Sequence, residues 1–121
     1  MSDALNTFFE AWGTADAEAR AALIEQACTA DVTYSDPRSG ARLAGVGAVA
    51  EYVGMFSANA PGWTAKVVSS DDVNGYLRGI VAFGGMGPDG SEMVQHGTYF
   101  CDTTDGKLSM IAGFVGLGSI E

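Results

Sequence analysis

The sequence predicts a single α+β domain, and three observations carry that expectation. Apolar residues recur at helical spacing in three segments up to residue 60. Beyond it the period drops to two. Asp-Gly pairs at Asp89-Gly90 and Asp105-Gly106 then stand between the later alternating runs, a strong hairpin signal. Helices segregated from an antiparallel sheet define the α+β class, and 121 residues suit one domain spanning 1–121.

The elements follow in order. Leu5, Phe8, Phe9 and Trp12 fall at i, i+3, i+4 and i+7, one apolar stripe that Ser2 or Asp3 would cap and Gly13 would end. A second helix is expected from Asp16 to about Cys28, burying Leu23, Ile24 and Ala27. Residues 31–36 alternate and favour a short strand, with Pro37 ending it. Val32, Tyr34 and Asp36 would share one face of that strand. The third helix spans about Val46 to Ala60 through Val49, Val53 and Phe56, with Pro61-Gly62 as the stop. Strands are expected over 63–70, 73–84, 91–102 and 107–117. Ser70-Asp71-Asp72 would form the first of their turns, and the last strands an antiparallel meander. Glycines within them (Gly75, Gly79, Gly97, Gly113 and Gly116) mark bends or close backbone approach.

Composition narrows the functional classes. The chain is 47% hydrophobic and 17% charged, which excludes intrinsic disorder. Fifteen acidic residues against six basic ones give a net charge of −9. Such a surface repels phosphate backbones and anionic lipids, so neither nucleic acid nor a membrane is an expected partner. No stretch reaches the ~18 apolar residues of a membrane helix, and the Met1-Ser2-Asp3-Ala4 start does not read as a signal peptide. Cys28 and Cys101 stand far apart with no C-x-x-C, the pattern of two reduced, buried thiols. The expectation is a soluble cytoplasmic protein.

Few motifs carry chemistry. Gly85-Met86-Gly87-Pro88-Asp89-Gly90 matches G-x-G-x-x-G, but a strand follows it where a dinucleotide site needs a helix, so it reads as a hairpin. One histidine and no paired cysteines give no metal-binding spacing and imply no cofactor. Asp36 and His96 remain. Asp36, on an apolar strand face, suits a general base; the plain alternative is an Asx turn before Pro37. His96 shares its expected face with Val94, Thr98 and Phe100, and is either a donor near neutral pH or an ordinary strand residue. Trp12, Phe56, Trp63 and Phe114 are core residues or pocket walls.

The element order, together with Ala30-Asp31-Val32-Thr33-Tyr34-Ser35-Asp36-Pro37 and Gly45-Val46-Gly47-Ala48-Val49-Ala50-Glu51-Tyr52, resembles the nuclear-transport-factor-2-like superfamily, in its SnoaL-like and ketosteroid-isomerase-like branch. The resemblance covers nearly the whole chain. It implies a cystatin-like, cone-shaped α+β barrel: a curved, mainly antiparallel sheet wrapped around the long third helix, with two helices before it. It also implies a pocket between them, and a homodimer through the outer sheet face. Asp36 matches the aspartate that shuttles a proton in ketosteroid isomerases. Phe8 or Phe9 stands where that group carries its oxyanion-hole tyrosine, and His96, or Gln95 one residue earlier, replaces its second aspartate.

The resulting expectation is a proton-transfer enzyme (isomerase, polyketide-cyclase-like or lyase) acting on a small apolar cyclic carbonyl compound. Asp36 would be the base, His96 the acid or enolate donor, and Tyr34 an auxiliary donor. Trp12, Tyr52, Phe56, Trp63 and Phe114 would shape the pocket. Two alternatives stand beside it: a non-catalytic ligand-binding or dimerisation module, and an epoxide hydrolase built on an Asp–Arg–Asp cluster with Arg78 as its arginine.

Overall fold

The computed structural model describes residues 3–60, 62–87 and 89–116. Ser2, Pro61, Pro88 and Leu117, expected from the sequence as cap, stop, turn and strand end, lie outside the described residues. Helix α1 (Asp3–Glu10) continues into a short 3-10 turn, Ala11–Gly13, and α2 covers Ala17–Ala27. Asp16 caps α2 by accepting from the Ala19 backbone N–H at 2.8 Å, satisfying a donor the helix cannot pair internally. Strand β1 (Cys28–Ser35) begins directly after α2, three positions before the period-two signal suggested.

Next come β2 (Leu43–Ala44), α3 (Val46–Asn59), β3 (Thr64–Val73), β4 (Tyr76–Met86), β5 (Glu92–Thr104) and β6 (Lys107–Val115). The strands form one curved, unclosed sheet in the order β2-β1-β6-β5-β4-β3. Every neighbouring pair is antiparallel except β1 with β6, which run parallel. At two residues, β2 is too short for periodicity to reveal.

The β3–β4 hairpin corrects the sequence reading. Ser70, Asp71 and Asp72 continue the strand, and the turn falls at Asn74-Gly75, both with positive φ (55° and 92°). Those angles are what a two-residue hairpin turn demands, and Asn-Gly supplies them with least strain. Gly75 therefore belongs to a turn and not to a strand interior.

Inner-face residues alternate along the strands: Leu77 and Val81 on β4, Tyr99 and Cys101 on β5, Val32 and Tyr34 on β1 are all buried. They meet Leu5, Phe8 and Phe9 of α1, Ile24 and Ala27 of α2, and Val49 and Val53 of α3. On β6 a register shift opposite Asp102 and Thr103 lets Leu108 and Ile111 both point inward despite their odd spacing. Gly79 and Gly113 lie on this face because side chains fill their space. A Cβ at Gly79 would come 2.7 Å from Leu5 Cδ2, and one at Gly113 would overlap the Tyr99 ring. No described helix is long and apolar enough to cross a membrane.

Candidate functional site

Asp36 stands one residue past the end of β1, where the strand hands over to a loop. Its Oδ1 accepts the backbone N–H groups of Arg38 (2.9 Å) and Ser39 (2.8 Å), so the Asx-turn alternative describes real geometry. The same carboxylate also faces the inner side of the sheet. Tyr34 Oη donates to Oδ2 at 2.6 Å. Tyr52 Oη, reaching over from α3, lies 2.8 Å from Oδ1 and 2.9 Å from Oδ2. Hydrogen bonds to a charged acceptor contribute about 1.5–3 kcal/mol each, so this residue organises its surroundings strongly.

Strand alternation and helix periodicity explain the convergence. Tyr34 is two residues before Asp36 and shares its face. Tyr52 lies one residue before buried Val53 and one turn before Phe56, on the flank of α3 nearest β1. Tyr99, inward on β5, places its hydroxyl 3.3 Å from that of Tyr34. Since the Tyr34 proton is engaged with Asp36, Tyr99 donates and Tyr34 accepts, giving a chain Tyr99 to Tyr34 to Asp36. Tyr99 is not among the site residues expected from the sequence. Its signal was the alternation of Gly97, Tyr99 and Cys101, which are all buried.

The electrostatics agree with this wiring. Burial first, then the neighbouring Tyr99 and Asp36, hold the Tyr34 hydroxyl well above the ordinary phenol range. Burial and the Asp36 hydrogen bond raise Tyr52, and burial raises Tyr99. All three therefore remain protonated donors. Burial pushes the thiols of Cys28 and Cys101 up to about 12, which makes them poor nucleophiles.

Against the tyrosines that hold the carboxylate lies an aromatic cluster. The Trp12 ring centroid is 6.1 Å from those of Tyr34 and Tyr52, 5.0 Å from Phe56 and 5.5 Å from Phe83. Trp12 is 3% exposed, and its Nε1 is the one buried side-chain nitrogen or oxygen among the described residues with no hydrogen-bond partner. Leaving a buried donor unpaired costs about 1–3 kcal/mol.

Other expected site residues lie elsewhere. His96 is exposed on the outer face, directly opposite Ala82 on β4 and in phase with Thr98 and Phe100; the sheet separates it from Asp36. Gln95, opposite Phe83, shares the inner phase instead. Phe114 is 57% exposed on the outer face, with its ring against Phe100 at 5.9 Å. Trp63 covers Gly85, in phase with Phe83 on β4, and donates to the Met86 carbonyl at 3.2 Å. Arg78 is out of phase with inward Leu77 and Gly79 and is paired with Asp71 at 2.7 Å. An Asp–Arg–Asp cluster on the inner face is therefore not formed with it. Among the described residues no three His, Cys, Asp or Glu side chains gather as metal ligands would.

Two surface hollows, of about 400 and 530 Å³, also lie apart from Asp36. One is lined by Thr64, Lys66, Ala82, Gly84 and Val94, the other by Asn6, Phe9, Glu10, Thr14 and Val67.

A family model described as SnoaL-like domain matches residues 5–111. No curated protein matches the chain. Among solved structures, the fold is similar to a SnoaL-like family protein from Agrobacterium tumefaciens strain C58, named as a candidate isomerase. The TM-score is 0.79 at 23% identity, covering 94% of this chain and 95% of that one. It is also similar to a ketosteroid isomerase-like fold protein from Catenulispora acidiphila in complex with trimethylamine, with TM-score 0.78, 13% identity and coverage of 97% and 88%. A candidate SnoaL-like polyketide cyclase from Jannaschia sp. CCS1 has TM-score 0.73 at 14% identity, with coverage of 91% and 80%. At these identities the likeness establishes the fold.

Proposed function

The chain belongs to the SnoaL-like domain family, and from that premise we propose a proton-transfer enzyme of the isomerase, cyclase or lyase kind, working without a cofactor on a small apolar cyclic carbonyl compound. One observation supports it above the rest. A half-buried carboxylate, Asp36, accepts from Tyr34 and Tyr52, whose rings pack against Trp12. Asp36 takes a proton from the carbon next to the carbonyl, the C–H electron pair moves toward the carbonyl oxygen, and the proton is returned at another atom. Tyr34 and Tyr52 act as positioning residues for Asp36, and His96 takes no part.

A test needs no knowledge of the natural substrate. In D2O, loss of the α-proton signals of 2-tetralone reports proton abstraction directly. The wild-type protein is expected to accelerate that exchange, and Asp36→Asn to reduce the acceleration by 10²–10⁴, the usual share of a general base. Equal exchange by both proteins removes Asp36 as the base. The second reading, a ligand-binding module, is favoured by the full set of donors already holding Asp36. Binding of 2-tetralone without accelerated exchange selects it.

The same proposal includes a homodimer through the outer sheet face, supported by Val94, Phe100 and Phe114, which are 55%, 43% and 57% exposed on adjacent strands. Free, buried Cys28 and Cys101 support a cytoplasmic location.

A further inference from the structure

The three tyrosine hydroxyl protons at the inner side of Asp36 are already engaged. Tyr34 and Tyr52 donate to the carboxylate and Tyr99 donates to Tyr34. None of the three is free to donate to a bound molecule without releasing the base or its support. One donor in the same aromatic cluster has no partner: Trp12 Nε1, on a ring 97% removed from solvent and in contact with both tyrosines that hold Asp36. The other indole, Trp63, shows the contrast, since its Nε1 is paired with the Met86 carbonyl.

We propose that the Trp12 indole N–H is the ligand's hydrogen-bond donor, receiving the carbonyl oxygen of a compound whose acidic C–H faces Asp36. This rests on the reading of the Asp36 region as the binding place. It deepens that reading by assigning the oxygen to an uncharged donor and by requiring the ligand to carry an acceptor. A hydrocarbon of the same shape leaves the indole unpaired and forgoes that contact. During proton abstraction the C–H pair delocalises onto the carbonyl oxygen, which gains negative charge against the indole N–H while Asp36 holds the proton. A fixed donor aimed where charge develops stabilises that state more than the ground state.

The experiment uses 2-tetralone and tetralin, the same bicycle without the oxygen. In the ¹⁵N–¹H spectrum the chain gives two indole signals, from Trp12 and Trp63, assigned with Trp63→Phe. The expected result is a downfield shift of the Trp12 signal on adding 2-tetralone, with no such shift on adding tetralin. Trp12→Phe is expected to bind 2-tetralone about tenfold more weakly, equivalent to about 1.4 kcal/mol, with tetralin affinity within twofold. If Trp12→Phe fails to fold, the wild-type shift decides alone. Asp36-dependent exchange of 2-tetralone with an unmoved Trp12 signal overturns the indole assignment and leaves Asp36 standing. Equal weakening for both compounds also overturns it, reducing Trp12 to a wall. Absence of both binding and exchange of 2-tetralone overturns the underlying reading together with it.

Discussion

Tyr52 and Asp36 tie the long helix to the end of the first long strand: one hydroxyl spans both carboxylate oxygens, at 2.8 and 2.9 Å. Their separation in sequence makes this a tertiary clamp, and it fixes the direction in which the carboxylate faces. Tyr52→Phe keeps the ring against Trp12 and removes the clamp. The expected cost is about 1.5–3 kcal/mol in urea unfolding. In the exchange assay kcat is expected to fall more than KM changes, because Asp36 is still present but less well aimed. A variant as stable as wild type shows that the clamp carries no stability.

Alkaline pH is expected to destabilise the protein. Cys28 and Cys101 titrate at about 12 when folded against an ordinary 9. Below pH 9 both states keep their protons and the stability is fully present. Between pH 9 and 12 the unfolded chain releases protons that the folded one retains. Stability then falls by up to about 1.4 kcal/mol per pH unit for each thiol. Tyr34, Tyr52 and Tyr99, all raised in the fold, add to the loss above pH 10. Urea midpoints at pH 8, 9.5 and 11 check this, and a flat series contradicts it.

Gly113 tests the inner packing. A Cβ there would overlap the buried Tyr99 ring, so Gly113→Ala must push that ring and its hydroxyl away from Tyr34. Overpacking of this kind costs about 1–3 kcal/mol. Gly106→Ala offers the contrast of a turn position with positive φ and open surroundings, where strain and not collision sets the cost. Only Gly113→Ala is expected to shift the Tyr99 ring signals by NMR.

The outer face yields a test of assembly. Phe114→Glu places a charge beside Phe100 on a position already 57% exposed, so the monomer fold is expected to survive. Sedimentation is expected to show a dimer for wild type and a monomer for the variant. A monomeric wild type ends the dimer proposal.

The α+β class and the position of Asp36 were legible because periodicity and an Asp-Pro strand end are local signals. The β3–β4 turn was legible too, at Asn74-Gly75, but the neighbouring run Ser70-Asp71-Asp72 drew the assignment by its polarity. Those residues are polar because β3 is an edge strand with exposed side chains. The partnership of Asp36 was harder to read. Being the sole histidine made His96 conspicuous, whereas one step of strand phase decides which residues of β5 face inward. Tyr99 takes the inner phase because it alternates with Gly97 and Cys101. Helical spacing sets Tyr52 beside Val53 on α3, yet only the packing of α3 against β1 brings its hydroxyl to the carboxylate.

The parallel pairing of β1 with β6, Tyr34 beside Ile111 and Ser35 beside Ala112, bears on the order in which the sheet closes. Hairpins β3–β4 and β5–β6 can close soon after their residues emerge, at small loop-closure cost. The strand that carries Tyr34 and leads to Asp36 waits at one end of the sequence for a neighbour made near the other. Long-range parallel pairing is slow to form. Closure of β1 against β6 is thus expected among the late events of folding, and a ribosome-bound chain lacking β6 would leave the strand that leads to Asp36 without its parallel neighbour.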